Sequence, residues 1–261
     1  MTPPNAGRTA RERARAELTR EIKEEARRQL ATSGADGLSL RAVARELGMV
    51  SSALYRYFPS RDDLLTALII DSYDAIGSAV EEAIAAAPPE AARGGIVRER
   101  WLAACRAVRS WALAHPHEYA LIYGSPVPGY RAPESTIGPA SRVPVALVRI
   151  LRDAAASGTL TSGAPQPLPE QLADQTALMA AALAAAEGET GLAVPADVLV
   201  RAVIAWTQLF GMVSFELFGQ FVNSFEPTDA LFEHAIGEMA TFVSGIPAGN
   251  SGIAARSLHV R

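Results

Sequence analysis

The chain has 261 residues, and its 24 lysine and arginine residues stand against 28 acidic residues, giving a formal net charge of −4. This length accommodates one large domain or two unequal domains, either of which can bury a sizeable core. No apolar run reaches the ~18 residues that a membrane span needs, and the first residues lack an apolar signal segment, so we expect a cytoplasmic protein. The single cysteine, Cys105, excludes an internal disulfide.

Positive charge is concentrated in the first quarter of the chain. Residues 1–61 carry twelve basic against seven acidic residues, a net of +5, whereas the remaining residues carry twelve against twenty-one, a net of −9. Helix surfaces often mix charges, so this asymmetry is supporting evidence only. It indicates that the first quarter is the part suited to a polyanionic partner.

Apolar residues recur at three- and four-residue spacing along almost the whole chain, and no run has the two-residue period of a strand. This pattern predicts an all-α fold. Gly34 and Pro59 are expected to end helices, and Ser39 and Ser60 to cap them. The predicted helices cover 9–33, 40–47, 51–58, 61–87, 94–114, 116–123, 139–157, 169–187, 196–222 and 228–244. Residues 246–261 lack periodicity and are predicted to form a flexible tail.

The segment LSLRAVARELGMVSSALYRYF, residues 38–58, contains two short helices joined by a tight turn. Gly48 permits the positive backbone angle that such a turn needs. The apolar residues whose spacing packs the two helices together are Val43, Leu47, Met49, Leu54 and Phe58. In a helix-turn-helix the second helix enters the DNA major groove, so its outward residues are polar. The sequence therefore predicts a helix-turn-helix.

This segment and the residues after it, LSLRAVARELGMVSSALYRYFPSRDDLLTALI, resemble the N-terminal domain of TetR-family transcriptional regulators. The shared pattern is a helix, a glycine turn, LYxxF and a basic residue shortly before LL, over about residues 24–68. The resemblance implies a three-helix DNA-binding domain, 9–60, joined by a long connector helix to a ligand-binding and dimerisation domain, 61–245. Arg61 stands where the family often has lysine; both residues bind phosphate.

The resemblance also assigns roles to individual residues. Tyr55 and Tyr57 correspond to positions whose hydroxyls contact phosphates, and Arg61 to the residue that grips the DNA backbone. Base contacts fall on the recognition helix. The full set of expected DNA-binding residues is Ser39, Arg41, Ser51, Ser52, Ala53, Tyr55, Arg56, Tyr57 and Arg61.

Structural alternatives stand beside these roles. Ser51 is equally suited to capping its helix and to contacting DNA, Ser39 is better suited to capping than to a contact, and packing against the first helix is the alternative for Tyr57. The arginines before Glu17 form either a solvated helix face or a surface that touches DNA.

The stretches WALAHPHEYALIYGSPVPGY, 111–130, and AWTQLFGMVSFELFGQF, 205–221, resemble a TetR C-terminal subtype named for its Trp, His and Gly positions. Those positions correspond to Trp111, to His115 or His117, and to Gly124, and the similarity extends over about 94–244. It implies a regulatory, dimerising domain without implying one ligand. The last two helices are predicted to form the homodimer interface, with Gly211 and Gly219 allowing partner backbones to approach.

Aromatic residues in this second part of the chain are suited either to a small-molecule pocket or to a packed core. Few charges accompany them, which favours an apolar effector. The expected ligand contacts are Trp101, Cys105, Tyr119, Tyr123 and Trp206.

The sequence offers little for catalysis. His115 and His117 are two residues apart, so a helix directs them away from each other, and neither a metal nor a cofactor is expected. No nucleophile elbow or glycine-rich phosphate loop occurs, so an enzyme is not expected. The prediction is a homodimeric DNA-binding repressor released from a palindromic operator by a small effector. The alternative is a helix-turn-helix module that docks a protein partner.

Overall fold

A computed structural model describes residues 10–87, 95–160, 167–186 and 194–245. These residues form ten α-helices, one short 3-10 helix at Glu134–Thr136 and no strand, which confirms the all-α prediction. The predicted tail, 246–261, lies outside the described residues. The helices are α1 Ala10–Ser33, α2 Leu40–Glu46, α3 Ser51–Leu54, α4 Arg61–Ala86, α5 Gly95–Ala114, α6 Pro116–Tyr123, α7 Ile137–Ala156, α8 Glu170–Ala186, α9 Ala196–Leu217 and α10 Asp229–Ser244.

The chain divides into two compact units. The first unit consists of the residues up to Glu82, Arg106–Val143 and Val213–Gln220; the second consists of Ala83–Cys105, Pro144–Met212 and the residues from Phe221 onwards. Helices α1, α2, α3 and α6 and most of α4 therefore belong to the first unit, and α8 and α10 belong to the second. Helices α5, α7 and α9 contribute residues to both.

One hydrophobic core in the first unit holds the helix-turn-helix together. Helix α1 contributes buried apolar residues at four-residue spacing, which places them on one face: Ile22, Ala26 and Leu30. They are buried in a cluster with Val43 and Ala44 of α2, Leu54 of α3 and Leu64, Leu65 and Leu68 of α4. Each fully buried leucine or isoleucine stabilises the fold by about 1.5–3 kcal/mol. The first turns of α4 are therefore part of the same core as the DNA-binding helices.

Charged groups tie other helices to α4 within the first unit. Asp71 of α4 accepts hydrogen bonds from Lys23 Nζ and Arg27 Nη2 of α1, each at 2.7 Å. On α7, Arg142 donates to Glu81 at 2.7 Å and to Asp74 Oδ1 at 3.0 Å. Helix α4 is thus held by salt bridges in its middle and towards its end.

The second unit has its own buried side chains, which come mainly from α5, α7, α9 and α10. Among them are Trp101, Leu151, Leu199, Leu209 and Ile236. Arg98 of α5 donates from Nη1 to the Gly237 carbonyl of α10 at 2.9 Å. Together with a 3.5 Å contact from the same nitrogen to Thr241 Oγ1, this bond supplies a polar tie between α5 and α10.

The recognition helix is shorter than the predicted 51–58. Helix α3 ends at Leu54, and the next three residues form a turn in which the Tyr57 amide bonds to the Leu54 carbonyl at 2.8 Å. Pro59 has no N–H to bond to the Tyr55 carbonyl and disfavours helical geometry at Phe58, so the residues before it close in a tighter turn. Residues 55–57 therefore lie on a tightened turn and not on a regular helix.

Helix α9 also ends early, at Leu217, whereas the sequence predicted 222. Gly219 has a φ of 76°, the left-handed conformation in which glycine commonly ends helices. The Gln220 amide bonds back to the Phe215 carbonyl at 2.8 Å and closes the helix end. The apolar residues after Leu217 continue the hydrophobic pattern of α9, which is why the sequence predicted a longer helix.

Candidate nucleic-acid interface

The turn between α2 and α3 sets the direction of the recognition helix. The Ser39 hydroxyl accepts a hydrogen bond from the Ala42 amide at 3.4 Å and caps α2. Gly48 has a φ of 64°, and the following Met49 amide bonds to the Ala44 carbonyl at 2.8 Å. The cap predicted for Ser39 is therefore present, and the glycine turn redirects the chain into α3.

Helix α3 and the turn after it present a polar surface outward. Leu54 and Phe58 are buried in the core, whereas Ser52, Tyr55 and Arg56 are exposed, Tyr55 by 41%. Ser51 and Ala53 are half-buried beside them. Val50 is the N-cap of α3 and makes no side-chain cap hydrogen bond. Ser51 is therefore the first helical residue, and the prediction that it caps α3 is wrong.

Tyr57 lies where α3 meets α1. Its side chain is half-buried and packs against the core of the first unit. The Arg15 guanidinium of α1 lies over the Tyr57 ring, 5.1 Å from its centroid, a cation–π distance. The Tyr57 ring therefore packs against the first helix, as the structural alternative predicted.

Arg61 has a structural role that the sequence did not indicate. Its Nη2 donates to the Ala35 carbonyl at 2.7 Å and its Nε to the Leu38 carbonyl at 3.3 Å. These carbonyls belong to the turn between α1 and α2, so the guanidinium fastens that turn to the start of α4. The side chain is 30% exposed, and its remaining N–H groups face Asp62 at 3.5 Å or solvent.

The cations around α3 differ in whether an acidic residue neutralises them. Arg41 and Arg56 are exposed, and no carboxylate of residues 10–87, 95–160, 167–186 or 194–245 lies within 4 Å of them. Lys23 and Arg27, by contrast, share Asp71. The net positive field of this surface therefore arises from arginines close to α3.

Comparison with known proteins identifies this arrangement. Residues 22–68 match the family described as bacterial regulatory proteins, tetR family. Residues 101–239 match the tetracyclin repressor-like C-terminal domain. The chain belongs to the TetR family. The two matches together cover most of its length, and they confirm the resemblance seen in the sequence.

Individual relatives agree with this assignment to the TetR family. The HTH-type transcriptional regulator Rv1816 of Mycobacterium tuberculosis strain H37Rv is 41% identical over 220 residues, covering 80% of this chain and 84% of the relative. A crystal structure of the putative regulatory protein SCO4313 has a TM-score of 0.66 at 34% identity and covers 88% of this chain and 98% of its own. A Rhodococcus sp. RHA1 protein of unknown function has a TM-score of 0.62 at 24% identity, covering 95% and 100%, and shares the fold.

The Trp, His and Gly positions matched to the TetR C-terminal subtype lie around α6. Trp111 is buried and its ring stacks on the His115 imidazole, 5.1 Å between centroids. His115 precedes Pro116 as the N-cap of α6, and Gly124 ends that helix. The two histidines diverge, because His115 stacks on α5 whereas His117 lines a cavity beside the end of α1.

Two of the predicted ligand contacts, Tyr119 and Tyr123, belong to the first unit of this TetR-family chain. Tyr119 is fully buried and its hydroxyl lies 3.0 Å from the Ser214 hydroxyl. The Tyr123 ring lies 5.2 Å from the Tyr119 ring and 5.9 Å from the Tyr73 ring. Burial raises the pKa of Tyr123 well above that of a free tyrosine. Tyr123 also lines a cavity of about 580 Å³.

The other three predicted ligand contacts belong to the second unit. Trp101 and Cys105 are buried, and Trp206 packs edge-on against Phe210 at 5.8 Å between centroids. The indole N–H groups of Trp101 and Trp206 are buried and have no acceptor among the residues that the structure describes. Whether these three residues contact a ligand stays a prediction.

Helix α9 is long and apolar enough to cross a membrane by length and composition, a feature that the run-based sequence argument missed. Core helices of soluble proteins pass the same test. Leu209 and Val213 of α9 are fully buried in the fold, and Glu216 binds Arg109 of α5. Helix α9 therefore packs in the core along one face.

Proposed function

We propose that this TetR-family regulator is a cytoplasmic homodimeric repressor, which binds a roughly palindromic operator and leaves it when a small, weakly polar effector binds. The observation that carries the DNA-binding half of the proposal is the outward surface of α3. The exposed serine, tyrosine and arginine side chains lie on the outer side of a helix pair whose turn contains a glycine and whose inner side is buried. This is the arrangement in which such helices read the major groove.

Within this proposal the residues divide into two groups by what they touch. Ser51, Ser52, Ala53 and Arg56 lie on α3 or its following turn and face base edges. Arginine binds guanine bidentately, so Arg56 is the residue most suited to sequence discrimination. Contacts to phosphates, which position the protein, fall to Ser39, Arg41, Tyr55, Tyr57 and Arg61.

Dimerisation is supported by apolar surface on α9 and α10. In the second unit Val203, Ile204 and Phe242 are exposed, and in the first unit Phe215 and Phe218 are half-exposed. A monomeric soluble protein rarely leaves so many large apolar side chains on two helices uncovered. A twofold partner covering them generates two recognition helices, which is why the operator is expected to be palindromic.

An effector site in the first unit is supported by the cavity of about 580 Å³ beside Tyr123. This volume is within the range of small-molecule sites. Its lining comes from α6 and the loop after it, the end of α1, and α9, and includes Leu30, Ala35, Ser214 and Phe218. Ala35 also gives its carbonyl to Arg61. An occupant that displaces Ala35 therefore moves a hydrogen-bond acceptor of Arg61. Arg61 holds the start of α4 in place and is itself a proposed phosphate contact.

Selection from a random duplex pool tests the DNA-binding half directly. The full chain is expected to enrich a palindrome whose half-sites are about one helical turn of DNA apart or more. Arg56→Ala is expected to change the enriched sequence, whereas Arg41→Ala weakens binding to all sequences alike. An enriched sequence that is unchanged by Arg56→Ala contradicts the assignment of Arg56, and failure to enrich any sequence contradicts the proposed function.

The effector half is tested with small apolar and weakly polar compounds screened for release of the selected operator. Coupling of about 1–3 kcal/mol lowers operator affinity about 5- to 150-fold, and the operator weakens compound binding by the same factor. Tyr123→Ala is expected to abolish release while operator affinity and the melting temperature are nearly preserved. A general loss of stability means instead that Tyr123 is a core residue.

A further inference from the structure

Helix α1 contains two kinds of basic residue, separated near Glu17. On its carboxyl side each cation has an acidic partner: Arg20 binds Glu17 and Glu24, Lys23 and Arg27 share Asp71, and Arg28 binds Glu25. On its amino side Arg11, Arg13 and Arg15 are exposed. No carboxylate in the described part of the chain lies within 4 Å of these three guanidinium groups.

Two of these arginines lie beside α3 and the turn that follows it. Arg11 and Arg15 are four residues apart and share one helix face. With Leu18 they line a groove of about 420 Å³ whose opposite wall consists of Ala53, Arg56 and Tyr57. The Arg15 guanidinium over the Tyr57 ring fixes the two walls together.

This arrangement is unfavourable in the isolated protein. Like charges at four-residue spacing destabilise a helix, and Arg56 brings a third positive charge to the same groove. Glutamates elsewhere on α1 neutralise comparable arginines, but none does so here. A polyanion lying along α3 would bring negative charge to this groove and offset the repulsion.

We propose that the amino-terminal part of α1 is a second DNA-binding surface, in which Arg11 and Arg15 grip backbone phosphates that flank the bases read by α3. This inference rests on the proposed function, since it requires the duplex to lie on α3. It assigns a partner to arginines whose role the sequence left open between a solvated face and a DNA contact. The occupant is duplex DNA backbone, which carries no sequence information at these positions.

The test compares Arg11→Ala/Arg15→Ala with Arg20→Ala. Arg20 is an exposed arginine of the same helix that Glu17 and Glu24 already neutralise, so it is a matched control. Operator affinity of the full chain is measured by fluorescence anisotropy from 50 to 200 mM salt. Two lost phosphate contacts in each subunit make four per dimer, which lowers the magnitude of the slope of log affinity against log salt by about 3.6. Raising the salt from 50 to 200 mM is therefore expected to weaken operator binding roughly 150-fold less in the double variant than in wild type. Arg20→Ala is expected to leave the slope unchanged.

A charge-preserving variant distinguishes DNA contact from folding. Arg11→Lys/Arg15→Lys is expected to retain the wild-type slope, because each ammonium still displaces a counterion. A double alanine variant with a wild-type slope, or an Arg20→Ala variant with an equal decrease, overturns the inference. So does preferential binding of an acidic peptide over duplex DNA by the wild type. If wild type binds no duplex, the proposed function fails, and this inference fails with it. If wild type binds DNA and the double alanine variant has the same slope, only this inference is overturned.

Discussion

Replacing Arg61 by alanine separates two roles of this residue. The substitution removes the Nη2 bond to the Ala35 carbonyl at 2.7 Å and the Nε bond to the Leu38 carbonyl at 3.3 Å. Hydrogen bonds to a charged donor contribute about 1.5–3 kcal/mol each when buried. Because the side chain is 30% exposed and water can reach the freed carbonyls, we expect a total loss of about 1–3 kcal/mol in the free energy of unfolding.

The same variant is also expected to bind DNA less tightly. Loss of one phosphate contact per subunit lowers the salt slope by about 0.9 per subunit and weakens binding to all sequences alike. Arg61→Lys keeps the charge but cannot reach both carbonyls with one ammonium, so its slope should be retained while part of the stability is lost. Urea unfolding and salt-titrated anisotropy measure the two effects separately.

A matched control for Arg61→Ala is Arg45→Ala, which removes an exposed arginine of α2 that pairs with Glu46 at 3.7 Å. Its effect on stability should stay within about 0.5 kcal/mol. The reasoning is refuted if Arg61→Ala unfolds with wild-type free energy, since the two carbonyl bonds then contribute nothing. A wild-type salt slope in a destabilised Arg61→Ala protein assigns Arg61 to the turn and removes it from the phosphate contacts.

Three further predictions concern other parts of the chain. Gly211→Leu is expected to yield a monomer at micromolar concentration by sedimentation, with unchanged helicity, because a side chain at Gly211 meets nothing within 4 Å in its own subunit. Glu216→Ala should cost about 1.5–3 kcal/mol in urea unfolding, because it removes the carboxylate to which Arg109 donates two hydrogen bonds at 2.7 Å. Stability should fall as pH rises above about 10, because unfolded tyrosines ionise there while burial keeps Tyr123 protonated. Tyr123→Phe should weaken that pH dependence.

Each of these predictions has a control within the chain. Gly138 of α7 also has open space around it, so Gly138→Leu should remain dimeric. Asp153→Ala breaks an exposed pair with Arg100 at 3.2 Å and should cost no more than about 1 kcal/mol. Tyr55→Phe removes an exposed hydroxyl and should leave the alkaline stability profile as it is in wild type. A Gly211→Leu protein that sediments as a dimer contradicts the proposed interface.

Local signals account for what the sequence predicted correctly. Ser39, Gly48 and Pro59 act on the backbone within a few residues of themselves, so the helix-turn-helix could be located without knowledge of the tertiary fold. The end of α3 was misplaced because Leu54 and Phe58 keep helical spacing through the tightened turn that precedes Pro59. The end of α9 was misplaced because Gly219 lies within an apolar run that reads as continuous helix.

Long-range side-chain contacts account for most of what the sequence could not reveal. Arg61 meets Ala35 across 26 residues and Lys23 meets Asp71 across 48, and no periodicity encodes such distances. The same holds for Arg15 over Tyr57. Composition indicated that the first quarter of the chain is basic. Only the structure distinguishes arginines that already have acidic partners from those that do not.

Asp71 has a consequence for how the regulator divides its time between its operator and the rest of a chromosome. By binding Lys23 and Arg27, its single negative charge cancels one of their two positive charges, which attract every DNA sequence equally. A genome offers about a million or more competing non-specific sites, so weak, indiscriminate attraction withdraws protein from the operator. Neutralising cations away from α3 while leaving those near it unpaired keeps this competition low and confines the attraction to the surface that reads bases.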